Sequence, residues 1–409
     1  MTRLCETPTL SRRSLLTTSG ALYASAYIPS FARAADARDP RLVVMILRGA
    51  LDGLSAMAPI GDPDYAALHG ELALQFDGAH PALVLNSFFG LNPAMPNFAR
   101  LYGAKQAIAV HACATNYRER SHFDGQDVLE SGMPGPGQVQ SGWLNRAIAA
   151  LPRGERIARS GGLAVGTTPP LVLRGAAPIL GWAPSGLAAP TGDLTARLMD
   201  LYAHRDPILA AALQAGVDAD HMAIKQGMDA VKPGGDVAQA MRKAAEGAAR
   251  LISADDGPRI AALAFDGWDT HVNEGGATGR LAQLLGGLDG AIAAFETELG
   301  PRWKDAVVVA VTEFGRTVHI NGTTGTDHGT GTVAFLAGGA LNGGRVIADW
   351  PGLKAADLYE NRDLKPTTDV RAVLKGLLAD QFGLSADVLG RSVFPDTLGV
   401  KPMGGLIAA

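Results

Sequence analysis

Five short apolar runs, at residues 42–47, 107–110, 260–265, 306–311 and 333–337, restrict the possible folds of this chain more than any other feature. A strand with one wet face alternates apolar and polar residues, and these runs do not. They read as strands buried on both faces, the habit of a parallel sheet sandwiched by helices. The predicted fold class is therefore α/β, with a mostly parallel central sheet and helices on both faces.

The stretches between the runs carry helical signals. Leu281, Leu284, Leu285, Leu288, Ile292, Phe295 and Leu299 recur at helical spacing over 278–299 and present one apolar stripe to the sheet. Gly300-Pro301 stops that helix. Residues 194–252 hold no strand-like run, and breaks at Asp206-Pro207 and Pro233-Gly234-Gly235 predict a helical insertion or cap there. Thr367 and Thr368 are candidate caps for a helix over 369–382 closed by Gly383. With no linker in view, 35–409 is expected to form a single domain.

Open α/β sheets bind ligands beyond the carboxyl ends of their strands. There the chain sets Arg48-Gly49-Ala50-Leu51-Asp52-Gly53 after the first run, and His111 and then Arg120-Ser121-His122-Phe123-Asp124 after the second. Asp269-Thr270-His271 follows the third, Thr312-Glu313-Phe314-Gly315-Arg316-Thr317 follows the fourth, and Gly325-Thr326-Asp327-His328-Gly329-Thr330-Gly331 stands just before the fifth. Singly these are ordinary: Asp52-Gly53 suits a turn, Ser121 a surface loop, Glu313 an ion pair with Arg316. Together, Asp, Glu and neutral His are the ligands divalent metals take. The glycines around His328 would let backbone approach a ligand closely. Asp327, directly before His328, is a candidate to orient that imidazole or to be a ligand itself.

At the N-terminus, Ser11-Arg12-Arg13-Ser14-Leu15-Leu16 precedes an uncharged, mildly apolar stretch that ends in Ala32-Arg33-Ala34. A basic head, a short apolar middle and a small-residue cut site predict that residues 1–34 are a twin-arginine signal peptide. The expected partner is the twin-arginine translocon and the expected location periplasmic or extracellular. Thr17, Thr18, Ser19, Gly20 and Pro29 make the stretch too weak for a stable membrane span. The chain has 36 Lys and Arg against 40 Asp and Glu. Removal of a signal holding Arg3, Arg12, Arg13 and Arg33 against Glu6 leaves it more acidic, which argues against nucleic acid and anionic membranes as partners. Of its two cysteines, Cys5 leaves with the signal, so Cys113 has no partner for an internal disulfide.

The strings Leu47-Arg48-Gly49 with Asp52-Gly53, Arg120-Ser121-His122-Phe123-Asp124, Gly142-Trp143-Leu144-Asn145-Arg146, Asp269-Thr270-His271, Thr312-Glu313-Phe314-Gly315-Arg316-Thr317 and Gly325-Thr326-Asp327-His328-Gly329-Thr330 resemble a bacterial family known as domain of unknown function 1501. The likeness runs in order over about 42–398. That family is similar to the alkaline-phosphatase-like superfamily, which includes sulfatases and cofactor-independent phosphoglycerate mutases. The resemblance implies one or two metals at the carboxyl edge of the sheet and a Ser, Thr or modified Cys nucleophile. Carried over by position, it implies Asp52, Asp269, His271, Glu313 and His328 as metal ligands and Ser121 as the nucleophile. Two departures qualify it: Asp269 and His271 lie two apart where the superfamily has four, and Phe314 stands where a histidine is expected. The loss of that imidazole argues against a two-metal site and leaves alternatives: Arg120 or Arg316 could neutralise an anionic substrate group, a single ion could rest on Asp269, His271 and His328, or catalysis could be lost.

Two functions are open to such a chain. One is an exported hydrolase of phosphate or sulfate esters, small or glycan, using Ser121 and a divalent ion such as zinc, manganese, magnesium or calcium. The other is a non-catalytic binding or assembly protein of the cell envelope that keeps the fold around a decayed site.

Overall fold

A computed structural model of the protein describes residues 38–152, 161–184 and 236–408, with scattered positions between 198 and 218. The expected signal peptide and about half of the expected insertion lie outside the described residues. All five apolar runs are strands, and they share one sheet. Its members are β1 (Arg41–Arg48), β5 (Ala107–Ala114), β6 (Gly162–Val165), β7 (Ile179–Trp182), β8 (Ile260–Asp266), β9 (Ala306–Val311), β10 (Thr332–Ala337), β11 (Arg345–Ile347) and β12 (Thr368–Asp369). Three short segments, β2 (Met57–Ala58), β3 (Leu83–Val84) and β4 (Gly90–Leu91), form a separate antiparallel patch.

The large sheet has the order β11-β5-β10-β9-β1-β8-β6-β7, with β12 beside β5. β1 pairs in parallel with β8 and β9, β6 with β7 and β8, and β5 with β11 and β12. β10 runs against both of its neighbours, β5 and β9. That one reversal positions the site. The loop entering β10 leaves the sheet at the same edge as the loops that follow β1, β5, β8 and β9, so residues written before one strand meet residues written after the others.

Alternate residues of β1 serve opposite faces. Val43, Met45 and Leu47 pack with the helices Pro96–Gly103, Val237–Ser253 and Arg280–Leu299, whereas Leu42, Val44 and Ile46 pack with Trp143–Ala150 and Val370–Phe382. Each of these aliphatic side chains is essentially fully buried, which contributes about 1.5–3 kcal/mol apiece. The helix Arg280–Leu299 fills the predicted 278–299, and Gly300 ends it with φ 51°. The described end of the expected helical insertion or cap over 194–252 is the helix Val237–Ser253. Its Met241, Ala245 and Ala248 are buried in the same cluster as Leu281 and Leu288, so this end of the stretch belongs to the wall of the sheet.

Asp369, rather than Thr367 or Thr368, caps Val370–Phe382, its carboxylate accepting from Arg371 N at 2.9 Å. The threonines are engaged by the sheet instead: Thr367 N donates to Ala112 O at 2.8 Å, and Thr368 pairs with Cys113 in β12. Gly383 closes the helix in the left-handed region, as expected. Pro40–Ala409 is one compact unit. Among the described residues no helix is long and apolar enough to cross a membrane.

Candidate metal centre

Three loops at the carboxyl edge bring three imidazoles and a carboxylate face to face. His122 opens the helix His122–Ser131 after β5, Asp269 and His271 lie in the loop after β8, and His328 lies in the loop entering β10. His328 Nε2 is 2.9 Å from His122 Nε2 and 2.9 Å from His271 Nε2. Asp269 Oδ1 is 3.0 Å from His271 Nε2 and 3.3 Å from His328 Nε2, and its Oδ2 is 3.4 Å from His122 Nε2. Ligand atoms of His122, Asp269 and His328 all lie within 4.8 Å of one another, with His271 on the far side of His328.

The opposite ring nitrogens bear on the tautomers. His122 Nδ1 faces Glu313 Oε1 at 2.9 Å, His271 Nδ1 faces Asp327 Oδ1 at 3.1 Å, and His328 Nδ1 faces the Arg120 carbonyl at 3.0 Å. A carbonyl or an ionised carboxylate only accepts, so each ring has an acceptor ready for an Nδ1 hydrogen. With the Nδ1 hydrogens so placed, His328 Nε2 faces the Nε2 atoms of His122 and His271 across 2.9 Å gaps that a cation or a shared proton would fill. An outer carboxylate or carbonyl on the far nitrogen is the arrangement that orients metal-bound histidines.

The surroundings fix these groups electrostatically. Glu313 is fully buried, and Oε1 accepts from Gly49 N (2.8 Å), His122 Nδ1 and Gln126 Nε2 (3.1 Å). Burial alone would raise its carboxyl, but these donors hold it below the usual carboxylate range. The Glu313 hydrogen bond in turn raises His122 above the ordinary histidine value. His328 is lowered by burial and then by the nearby charges of His122 and Arg316. Burial works against Asp269 too, yet Arg316, whose Nη1 donates to Oδ1 at 2.6 Å, keeps that carboxyl low.

The expected site residues divide into those that meet and those that do not. Asp269, His271 and His328 come together. Glu313 and Asp327 stand one shell out, behind His122 and His271. Asp52 lies elsewhere: fully buried, it accepts from Leu54 N (2.8 Å) and Ser55 N (3.2 Å) at the start of a short helix, with Oδ2 3.4 Å from His69 Nε2. Burial opposes its charge, and the His69 charge and hydrogen bond bring it well below the usual range. Ser121 directly precedes His122, and its amide donates to the Tyr117 hydroxyl at 3.2 Å.

Neither expected arginine is free for a substrate. The Arg120 guanidinium holds Asp363 (2.9 and 2.8 Å) and Glu360 (2.5 Å), and buried Arg316 holds Asp269 and Thr326. Phe314 is buried and stacks on the His122 ring at 5.0 Å, so it occupies the expected imidazole position as packing. His111 lies inside β5, stacked on Phe89, and burial pushes it down to about 4. The glycines near His328 serve contact between loops rather than with a ligand: a Cβ on Gly329 would meet Arg316 O at 2.3 Å.

Sequence reasoning passed over His122, although it adjoins Ser121 at the end of the second strand, where the same topological argument applied. It also passed over Glu274, whose loop position carries no signal.

Residues 39–393 match the family described as "Protein of unknown function (DUF1501)". No curated protein matches the chain. Among solved structures it is similar to Ps i-CgsB in complex with k-i-k-neocarrahexaose (11% identity, TM-score 0.44, covering 88% of this chain and 77% of that one). It is similar also to the phosphonate monoester hydrolase of Agrobacterium radiobacter (13% identity, TM-score 0.36, 84% and 74%). A third likeness is to the alkaline phosphatase from the Antarctic bacterium TAB5 (12% identity, TM-score 0.33, 75% and 94%).

Proposed function

The chain belongs to the DUF1501 family, and from that premise we propose that it is a divalent-metal-dependent hydrolase of phosphate or sulfate esters, exported by the twin-arginine route to work in the periplasm or outside the cell. The observation that carries this reading is the set of three Nε2 atoms turned on one another beside Asp269, with every Nδ1 facing an outer acceptor. His122, His328 and Asp269 would hold the ion, with His271 beside them. When bound, such an ion supplies Lewis-acid stabilisation of the charge on the transferred group.

The chain's own residues do the rest. Glu313, Asp327 and the Arg120 carbonyl give each Nδ1 hydrogen an acceptor, and Arg316 aims the Asp269 carboxylate. Ser121, adjacent to His122, supplies the nucleophile for an in-line displacement. With Arg120 and Arg316 both engaged by carboxylates, the anionic group of the substrate depends on the ion for neutralisation.

The same pairing supports the second reading, a binding or assembly protein with a decayed site: Arg48 is held by Glu130, Arg120 by Asp363 and Arg316 by Asp269, with Phe314 packed behind His122. The facing nitrogens weigh against it, because a site released from metal binding has no reason to keep them. Metal analysis of the full chain purified without chelator, then reconstituted with zinc, manganese, magnesium and calcium in turn, separates the two when combined with a screen of generic phosphate and sulfate esters. A chain that takes up none of these ions sinks the hydrolase reading and leaves the second.

A further inference from the structure

We propose that Glu274, a buried acid outside the cluster, is a positioning residue that fixes the aim of Asp269 through Thr326 and Arg316. The inference rests on the metal reading of the site for its consequence, and on geometry for its substance. Thr326 Oγ1 donates to Glu274 Oε2 at 2.6 Å, and the same hydroxyl accepts from Arg316 Nε at 3.1 Å. Arg316 Nη1 then donates to Asp269 Oδ1 at 2.6 Å, while Nη2 donates to the Thr326 carbonyl. Glu274, Thr326 and Arg316 are all buried to within 1% of complete.

A hydroxyl has one hydrogen and must choose where to send it. With Glu274 accepting, the Thr326 lone pair is turned to Arg316. Without that acceptor the hydroxyl can swing its hydrogen towards the guanidinium, donor against donor, with little room for water to correct it. Arg316 would then lose one of the contacts that hold its plane, and Asp269 the fixed partner that sets its oxygens.

Glu274 acts here as a neutral carboxyl. As bare carboxylates, Glu274 Oε1 has no hydrogen-bond partner and Asp52 Oδ2 has only His69 Nε2 at 3.4 Å, and one hydrogen on Glu274 shared with Asp52 serves both groups. Burial, and after it the charge of Asp52, push Glu274 well above the usual range, in the same sense. Glutamine is the neutral isostere of such a group: its carbonyl accepts from Thr326 and its amide donates to Asp52.

The test uses the full chain loaded with cobalt(II), read by affinity and by visible spectrum, together with exchange of the Arg316 Nε–H in arginine-labelled protein by NMR. Glu274→Gln is expected to match the parent in all three readouts. Glu274→Leu and Thr326→Val are expected to weaken cobalt by roughly tenfold, as loss of outer-shell support does. They should also alter the spectrum and expose the Arg316 Nε–H to faster exchange. Because both cut one chain, the double variant should lose no more than either single. Should Glu274→Leu not fold, Thr326→Val decides, since it leaves the Glu274–Asp52 pair intact. Parental behaviour of Thr326→Val, losses that add in the double variant, or a Glu274→Gln protein as impaired as Thr326→Val would each overturn the proposal. If the parent binds no cobalt, the metal reading is what has failed. The Arg316 exchange rates then decide alone: protection kept in Glu274→Gln and lost in Thr326→Val supports the chain, and equal rates refute it.

Discussion

At His122 a hydrogen ion and a metal ion compete for one nitrogen. Glu313 raises this imidazole above its usual value near 6.5 in the metal-free protein. A raised folded value means that the bound proton stabilises the fold, fully so below the unfolded value, and that this contribution is lost as pH climbs through the folded one. Over the same window the proton stops opposing metal. Affinity for zinc or cobalt should therefore climb by up to roughly tenfold per pH unit until His122 has titrated, then level off; calorimetric titrations across that range measure it, and a flat profile would count against His122 as a ligand. Substitution separates the roles further. His122→Ala or His328→Ala should lower metal content and ester hydrolysis together, whereas Ser121→Ala should keep its metal and lose hydrolysis. Metal analysis beside turnover of a generic ester reads both.

One of the elements that build the site, the connection from β9 to β10, has its two arms pressed backbone to backbone. Gly315 N donates to Thr330 O at 2.9 Å and Gly329 N to Gly315 O at 2.8 Å, with Arg316 and His328 bridged as in a short antiparallel ladder. A Cβ on Gly315 would lie 1.9 Å from Gly331 O, and one on Gly329 2.3 Å from Arg316 O. Gly329→Ala should thus cost about 1–3 kcal/mol in denaturant unfolding through overpacking, and weaken metal binding with it. How legible such elements were depended on the range of the interactions that make them. The strands at 42–47 and 306–311 announced themselves because burial on both faces writes an unbroken apolar run. The helix over 278–299 did so through its stripe. The reversed direction of β10 is a pairing choice that its own residues do not encode, and it is what turns His328, written before its strand, into a neighbour of Asp269, written after another. Asp52 misled because a buried cap and a ligand use the same carboxylate, and only tertiary neighbours such as His69 distinguish them.

For the molecule as a whole, the proposed export route turns on two side chains. If the N-terminal arginines are read by the translocon, changing both Arg12 and Arg13 to Lys should leave folded precursor in the cytoplasm; normal export of that variant would reject the route. Cys113 is fully buried in β5, and burial pushes its thiol up to about 12. Thiol reagents should leave Cys113 untouched in the native protein and label it only on unfolding, so an oxidising space would change nothing covalent at this residue. The reversed strand has a consequence in time. β10 stands between β9 and β5. Until residues 332–337 have left the ribosome, β5 has no strand to join it to the β9-β1-β8-β6-β7 block, and the His328 loop has no complete edge to fold against. If an ion is taken up at this centre, its arrival would date the insertion of β10: polypeptides released before that strand would carry none.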